Sequence, residues 1–262
     1  MTVKLNDTSF WDGASEYQRT AQAFTSHYAE RAWAEAALPA GAEVLDIAAG
    51  TGALALVAAR AGARVTATDF SPAMVESVLS HGLPNLHARV MDGQALDLPD
   101  ASFDAAFSMF GIMLFLDWRR GLAEMARVVR PGGLGVVGTW KEPAGAAANL
   151  LLAERVAGLF PELDLPMPVE GMNELRDLDR FRTAMTAVGF GSVSIIEVTN
   201  DFIVDEATLA DPQRLFQFSP VWPLLDEEQR SAALASIKAA LATRDGVLPV
   251  PSPALIAKAR RA

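Results

Sequence analysis

Asp46, Gly50, Gly52, Asp69 and Asp92 are the residues of this chain whose types and spacing point most directly to chemistry. The run Val44-Leu45-Asp46-Ile47-Ala48-Ala49-Gly50-Thr51-Gly52-Ala53-Leu54 reads as a short apolar strand that ends in an acid, breaks into a small-residue loop and opens a helix. Glycine at 50 and 52 lets the backbone approach a ligand where a Cβ would obstruct it. The free N–H groups of the new helix point into the same space. Such a turn marks a nucleotide-type cofactor site at the carboxyl end of a first parallel strand.

Asp69 ends a second strand candidate about twenty residues beyond the turn, the spacing at which an acid accepts from both ribose hydroxyls. The plainer alternative is an acid ahead of a helix, although Ser71, followed by Pro72, is the more natural cap. Asp92 follows a third strand in Met91-Asp92-Gly93-Gln94, where its carboxylate suits an adenine amino group and the Gly93 N–H a ring nitrogen. Read alone, that pair is an ordinary Asp-Gly turn. Phe70 and Met74 are placed to flank the adenine faces, or else to pack a helix onto the sheet.

These residues need a scaffold, and the pattern around them supplies one. Strand candidates at 44–47, 64–68, 86–91, 105–109 and 133–139 alternate with helices at 52–61, 72–80 and 118–130. Alternation of this length implies right-handed crossovers and a parallel sheet. Arg130-Pro131-Gly132-Gly133 reads as a turn that ends a helix and feeds the last of these strands. Residues 14–38 read as one or two helices. Beyond Trp140 the alternation stops: 144–160, 174–188, 206–218 and 226–243 look helical, and 192–198 and 255–259 look like strands. The expected division is an N-terminal helical lid over 1–40, a cofactor-binding core over 41–140, and helical cap insertions interleaved with the last two strands over 141–262.

Composition narrows the partners. The chain has 262 residues, 51% of them hydrophobic, enough for one large domain with a cap. A net charge of −10 argues against a nucleic-acid partner, which needs a basic face. The absence of cysteine removes disulfides, thiolate metal sites and a cysteine nucleophile. Residues 1–7 lack an apolar signal core, and no apolar run reaches the length of a membrane span, so a cytoplasmic protein is expected. Oligomeric state leaves no signal in the sequence.

Five segments then occur in order: 45–52, Asp69-Phe70-Ser71-Pro72-Ala73-Met74, Asp92-Gly93-Gln94-Ala95-Leu96-Asp97-Leu98-Pro99, Ser102-Phe103-Asp104, and Arg127-Val128-Val129-Arg130-Pro131-Gly132-Gly133. The series resembles the class I S-adenosylmethionine-dependent methyltransferases, especially the ubiquinone/menaquinone-biosynthesis type, over about residues 41–140. The resemblance implies an α/β, Rossmann-like, seven-stranded and mostly parallel sheet with an antiparallel last strand. It also implies that the loop from Asp46 to Gly52 holds the methionine moiety of S-adenosylmethionine, Asp69 the ribose and Asp92 the adenine. Ala48 departs from the glycine that many relatives carry. A dinucleotide turn would prefer a third glycine, whereas Ala53-Leu54 follows Gly52, which fits a cofactor without pyrophosphate. An NAD(P)-dependent oxidoreductase is the alternative, and a methyltransferase-like protein that binds the cofactor without turnover is another.

Methyl transfer from a sulfonium draws its driving force from the cofactor, so a sparse set of catalytic residues is expected. His27, beside Tyr28 in the N-terminal helical segment, is the candidate base for a phenol or enol acceptor, or simply a partly exposed helix histidine. Tyr17 and Arg31 are candidates for the cofactor carboxylate, with a solvated helix face the alternative for Arg31. Ser108-Met109-Phe110-Gly111 follows the fourth strand, where donor and acceptor should meet; Phe110 and Met113 are placed to line that junction, the Phe110 ring suiting a sulfonium by cation–π attraction, or else to pack in the core. No acidic cluster around Asp117 has hard-metal geometry, so no metal is expected. The acceptor is expected to be small and apolar or aromatic, methylated at carbon, oxygen or nitrogen. Its lining would come from Met167, Met172, Phe181, Phe202, Phe216, Phe218 and Trp222, unless these fasten the cap helices.

Overall fold

A computed structural model describes residues 22–166, 169–217 and 219–262 of the protein. In β1 (Glu43–Ile47), Val44, Leu45, Asp46 and Ile47 are all buried, because a strand covered on both faces has no solvent side to alternate with. β1 pairs in parallel with β2 (Arg64–Asp69) on one side and β4 (Phe103–Met109) on the other, Val44 lying opposite both Val65 and Ala105. β3 (Leu86–Val90) adds in parallel to β2, and β5 (Val129–Trp140) adds in parallel to β4. With β6 (Phe190–Asp205) and β7 (Val247–Arg261), the seven-stranded sheet has the order β3-β2-β1-β4-β5-β7-β6. It is a Rossmann-like α/β sheet, mostly parallel, with antiparallel strands at the end of the chain. The chain leaves β1 towards β2 and β3, then returns to β1's other side as β4. Ligands of open α/β sheets bind in the crevice at such a switch point, outside the carboxyl ends of the strands.

Helices α1 (Ala23–Ala36), α2 (Ala53–Arg60), α3 (Pro72–Leu79) and α4 (Trp118–Val128) accompany the first five strands. α5 (Ala147–Leu159), α6 (Glu170–Leu175) and α7 (Leu178–Ala187) lie between β5 and β6, and α8 (Pro212–Leu215) and α9 (Glu227–Ala242) between β6 and β7. The chain divides into two units, one of residues 1–139, 169–198 and 254–262, the other of 140–168 and 199–253. The second unit has a core of its own, with Leu152, Val156, Phe216, Ala233 and Ile237 fully buried around Trp222. Among the described residues, no helix is long and apolar enough to cross a membrane.

Several elements differ from the sequence reading. The Pro-Gly-Gly turn lies inside β5 as a bulge, the register stepping from Phe103 opposite Val129 to Ala105 opposite Leu134. The helix expected over 174–188 breaks into α6 and α7, because the Asp177 carboxylate accepts from the N–H groups of Asp179 and Arg180 and starts a new helix. Residues 206–218 hold only a short 3₁₀ turn and α8 among the described positions. β6 and β7 extend well past the expected 192–198 and 255–259. Pro249, Pro251 and Pro253 concealed the start of β7. Spaced by two, they remove backbone donors from one edge of the strand and leave the other edge intact.

Candidate cofactor site

The loop from Ile47 to Gly52 turns sharply at the carboxyl end of β1. Ala48, Gly50 and Gly52 all take the left-handed backbone region, with φ of 55°, 55° and 92°. The Ala49 N–H donates to the Thr68 carbonyl at 3.0 Å, and the Gly50 N–H donates to Asp69 Oδ2 at 2.9 Å, so β2 holds the loop open. Asp46, at the end of β1, accepts from the Ala55 N–H at 3.0 Å and fixes the first turn of α2 from beneath. The two acids and the small residues thus work as one unit: the acids anchor a backbone that only small residues can follow.

Burial pushes the Asp46 carboxyl up to about 8; the Ala55 N–H opposes the rise and the Asp69 charge adds to it. Burial also raises Asp69, against the N–H groups of Ser71, Gly50 and Phe70. Asp69 Oδ1 accepts from the Ser71 N–H at 3.0 Å. A carboxylate has about four lone-pair sites, so Asp69 keeps room for hydroxyl donors. Ser71 caps α3, with Pro72 at its first turn, which leaves Asp69 free of that task.

Asp46, Ala48, Gly50, Thr51 and Leu54 line a cavity of about 30 Å³, closed by Thr25 of α1 and by Met109 and Phe110 after β4. Phe110 has a φ of 66° and meets the buried Tyr28 ring edge-on at 5.4 Å, which seats α1 over the loop. Gln22 Nε2 adds a 3.4 Å bond to the Thr51 carbonyl. Thr51 Oγ1 is buried without a hydrogen-bond partner, an uncommon state for a hydroxyl and one that a bound polar group would relieve.

The other expected residues fall in different places. Asp92 is exposed at the end of β3 and accepts from Gln94 N and Nε2 at 2.8 and 3.0 Å. The Met91 N–H donates to the Asp69 carbonyl, so the ends of β2 and β3 are side by side. Gly93 is required by packing, since a Cβ there would lie 2.5 Å from the Phe115 ring. Phe70 is half-buried, whereas Met74 is buried in the core and packs α3 on the sheet. Ser108 is buried and accepts from the Ile112 N–H at 3.1 Å, which holds the start of the 3₁₀ turn Ile112–Leu114, and it does not line the cavity. Arg31 pairs with Glu35 at 2.8 Å on an exposed face of α1, and the structure does not bring it to the cavity. His27 is exposed, edge-on to Tyr28 at 5.6 Å, and is not part of the lining either. Tyr17 lies outside the described residues, as do Met167 and Phe218. Phe181 and Phe216, expected near the acceptor, are fully buried, so they pack helices instead. Among the described residues, no group of three His, Asp or Glu could hold a metal ion.

Thr25 and Thr51 carried no role in the sequence reading. Thr51 was within reach of it, lying between the two glycines. Thr25 comes to the cavity through the packing of α1, which has no local signature.

A family profile described as methyltransferase domain matches residues 44–133. The demethylmenaquinone methyltransferase of Corynebacterium efficiens is 36% identical over 126 residues, covering 48% of this chain and 54% of that protein. The demethylmenaquinone methyltransferase of Deinococcus radiodurans is 35% identical over 190 residues, covering 62% of this chain and 79% of that protein. The chain belongs to the class I S-adenosylmethionine-dependent methyltransferases. Within that methyltransferase family it falls in the menaquinone-biosynthesis-like branch, and membership sets the nicotinamide reading aside. The chain spans about half the length of the corynebacterial relatives it matches. The fold is shared with the YcgJ protein of Bacillus subtilis, at a TM-score of 0.58 and 20% identity over 90% of this chain and 99% of that one.

Proposed function

We propose that the chain transfers the methyl group of S-adenosylmethionine to a small aromatic or apolar acceptor. The observation that carries this is the turn at the switch point, where the Asp69 carboxylate fixes the Gly50 N–H beside the buried Asp46 and the unpartnered Thr51 hydroxyl. These groups fit the cofactor: Asp69 would take the ribose hydroxyls, the 46–52 loop the methionine part, and the region of Asp92 and Gly93 the adenine. When bound, the cofactor supplies a methyl group on a cationic sulfur, ready for in-line displacement. The chain's own work is to orient the acceptor and exclude water, and alignment alone can lower such a barrier by about 7–11 kcal/mol. Phe110 and Met109 close the cavity beside β4 and would give the sulfonium an apolar, aromatic wall. His27, exposed and outside that lining, has no support as a base from this geometry.

The names of the relatives make a reduced demethylmenaquinone the first acceptor to assay. Formation of S-adenosylhomocysteine with that quinol, and none without acceptor, is the expected result. Cofactor binding with no product from the quinol or from a panel of phenols, naphthols and indoles would overturn the transfer reading in favour of binding without turnover.

A further inference from the structure

The second unit contains a larger cavity, of about 320 Å³, between α5, the end of α9 and the start of β7. It shares no lining residue with the cofactor cavity. The volume lies in the range of about 300–1,000 Å³ found for small-molecule sites. Leu151, Leu248 and Val250 supply buried apolar walls. The nearby prolines of β7 contribute no backbone donors to that surface. The polar groups of the lining are Arg155, Arg244 and Glu154.

Arg155 is the unusual member. Its Nε is buried and has no hydrogen-bond partner, a state that costs about 1–3 kcal/mol, and more for a charged group. Neither Arg155 nor Arg244 makes an ion pair among the described residues, whereas Arg31, Arg64, Arg119, Arg127, Arg130 and Arg180 all do. Glu154 is exposed and pairs with neither arginine, so the lining keeps an excess of positive charge in a chain of net charge −10. Guanidinium groups left unpaired beside apolar walls suit a ligand with an oxyanion at one end and an apolar body at the other.

We propose that this cavity binds a small anionic amphiphile, with Arg155 and Arg244 holding its carboxylate or phosphate and Leu151, Leu248 and Val250 its apolar body. The site does not depend on methyl transfer. Calorimetry on the full chain tests it with 2-naphthoate and 2-naphthyl phosphate, against neutral 2-naphthylmethanol and cationic 2-naphthylmethylammonium. One or both anions are expected to bind about tenfold or more tightly than the alcohol, and the tighter anion identifies the head group. Arg155→Met and Arg244→Met should each remove about tenfold of the anion's affinity and leave that of the alcohol unchanged, with Arg155→Lys in between. Unchanged S-adenosylhomocysteine binding by these variants serves as the check on folding, and Arg244, being exposed, provides a second test if Arg155→Met does not fold. Equal affinity for alcohol and anions, tighter binding of the ammonium, an anion preference that survives both methionine variants, or no binding of either anion would overturn the proposal.

Discussion

Two carboxylates, Asp46 and Asp69, lie buried a few residues from the same loop, and each is raised above its ordinary range. For Asp46 the direction has a consequence for stability. Its ordinary value is 3.8 and its folded value about 8, so between these the folded state holds a proton that the unfolded state has lost. The stability this group contributes is therefore complete below about pH 4 and declines as pH rises to about 8, by at most ~1.4 kcal/mol per unit. Denaturant unfolding across that window should show the decline in the wild type and a flatter profile in Asp46→Asn. Asp69, shifted in the same direction, would account for the slope that remains. Equal slopes in the two proteins would contradict the burial of an unpaired acid at 46. The place of this pair at the ends of β1 and β2 was legible in the sequence because strand ends and glycines announce themselves locally. The exposed placement of Arg31 and His27 was not legible, because a helix sequence does not reveal which face its neighbours cover.

At the level of elements, the two loops that follow β1 and β4 must fit against each other. A Cβ at Gly111 would lie 2.4 Å from the Ala48 Cβ and 2.9 Å from Ser108 Oγ. Gly111→Ala should therefore cost about 1–3 kcal/mol in chemical unfolding, the usual penalty of overpacking. Adding Ala48→Gly should recover part of that loss, leaving the Ser108 contact, and strict additivity would show that the loops do not touch. α1 makes a second element-scale prediction. With α1 seated, the cavity beside the 50–53 loop is only about 30 Å³, so cofactor entry is expected to need a shift of α1 from that loop. The chain has no cysteine, so a pair introduced at Thr25 and Ala53 can be bridged selectively by a short thiol-reactive linker. Bridging is expected to abolish cofactor binding while the unbridged double variant still binds. Full binding after bridging would place the entry route elsewhere. The helices and parallel strands up to 140 were readable because each has its own period and punctuation. β7 was not, since proline normally ends strands and here three of them stand in alternate positions within one.

For the whole molecule, family similarity and chemistry are unevenly spread. The family profile stops at residue 133, and the second unit, with its own core and its arginine-lined cavity, lies wholly beyond it. That is why the methyl donor could be read from the sequence while the acceptor could not: the motifs that point to the donor are local turns, whereas of the expected lining residues Phe181, Phe216 and Trp222 are buried in packed cores and Met172 and Phe202 are half-buried. The central claim is that S-adenosylmethionine occupies the crevice at the ends of β1 and β4 and depends on Asp69. Isothermal titration with S-adenosylhomocysteine of the wild type and of Asp69→Ala, each checked for a cooperative thermal transition, tests it most directly. Stoichiometric binding by the wild type and none by a folded Asp69→Ala is the expected result, and undiminished binding by that variant would contradict it.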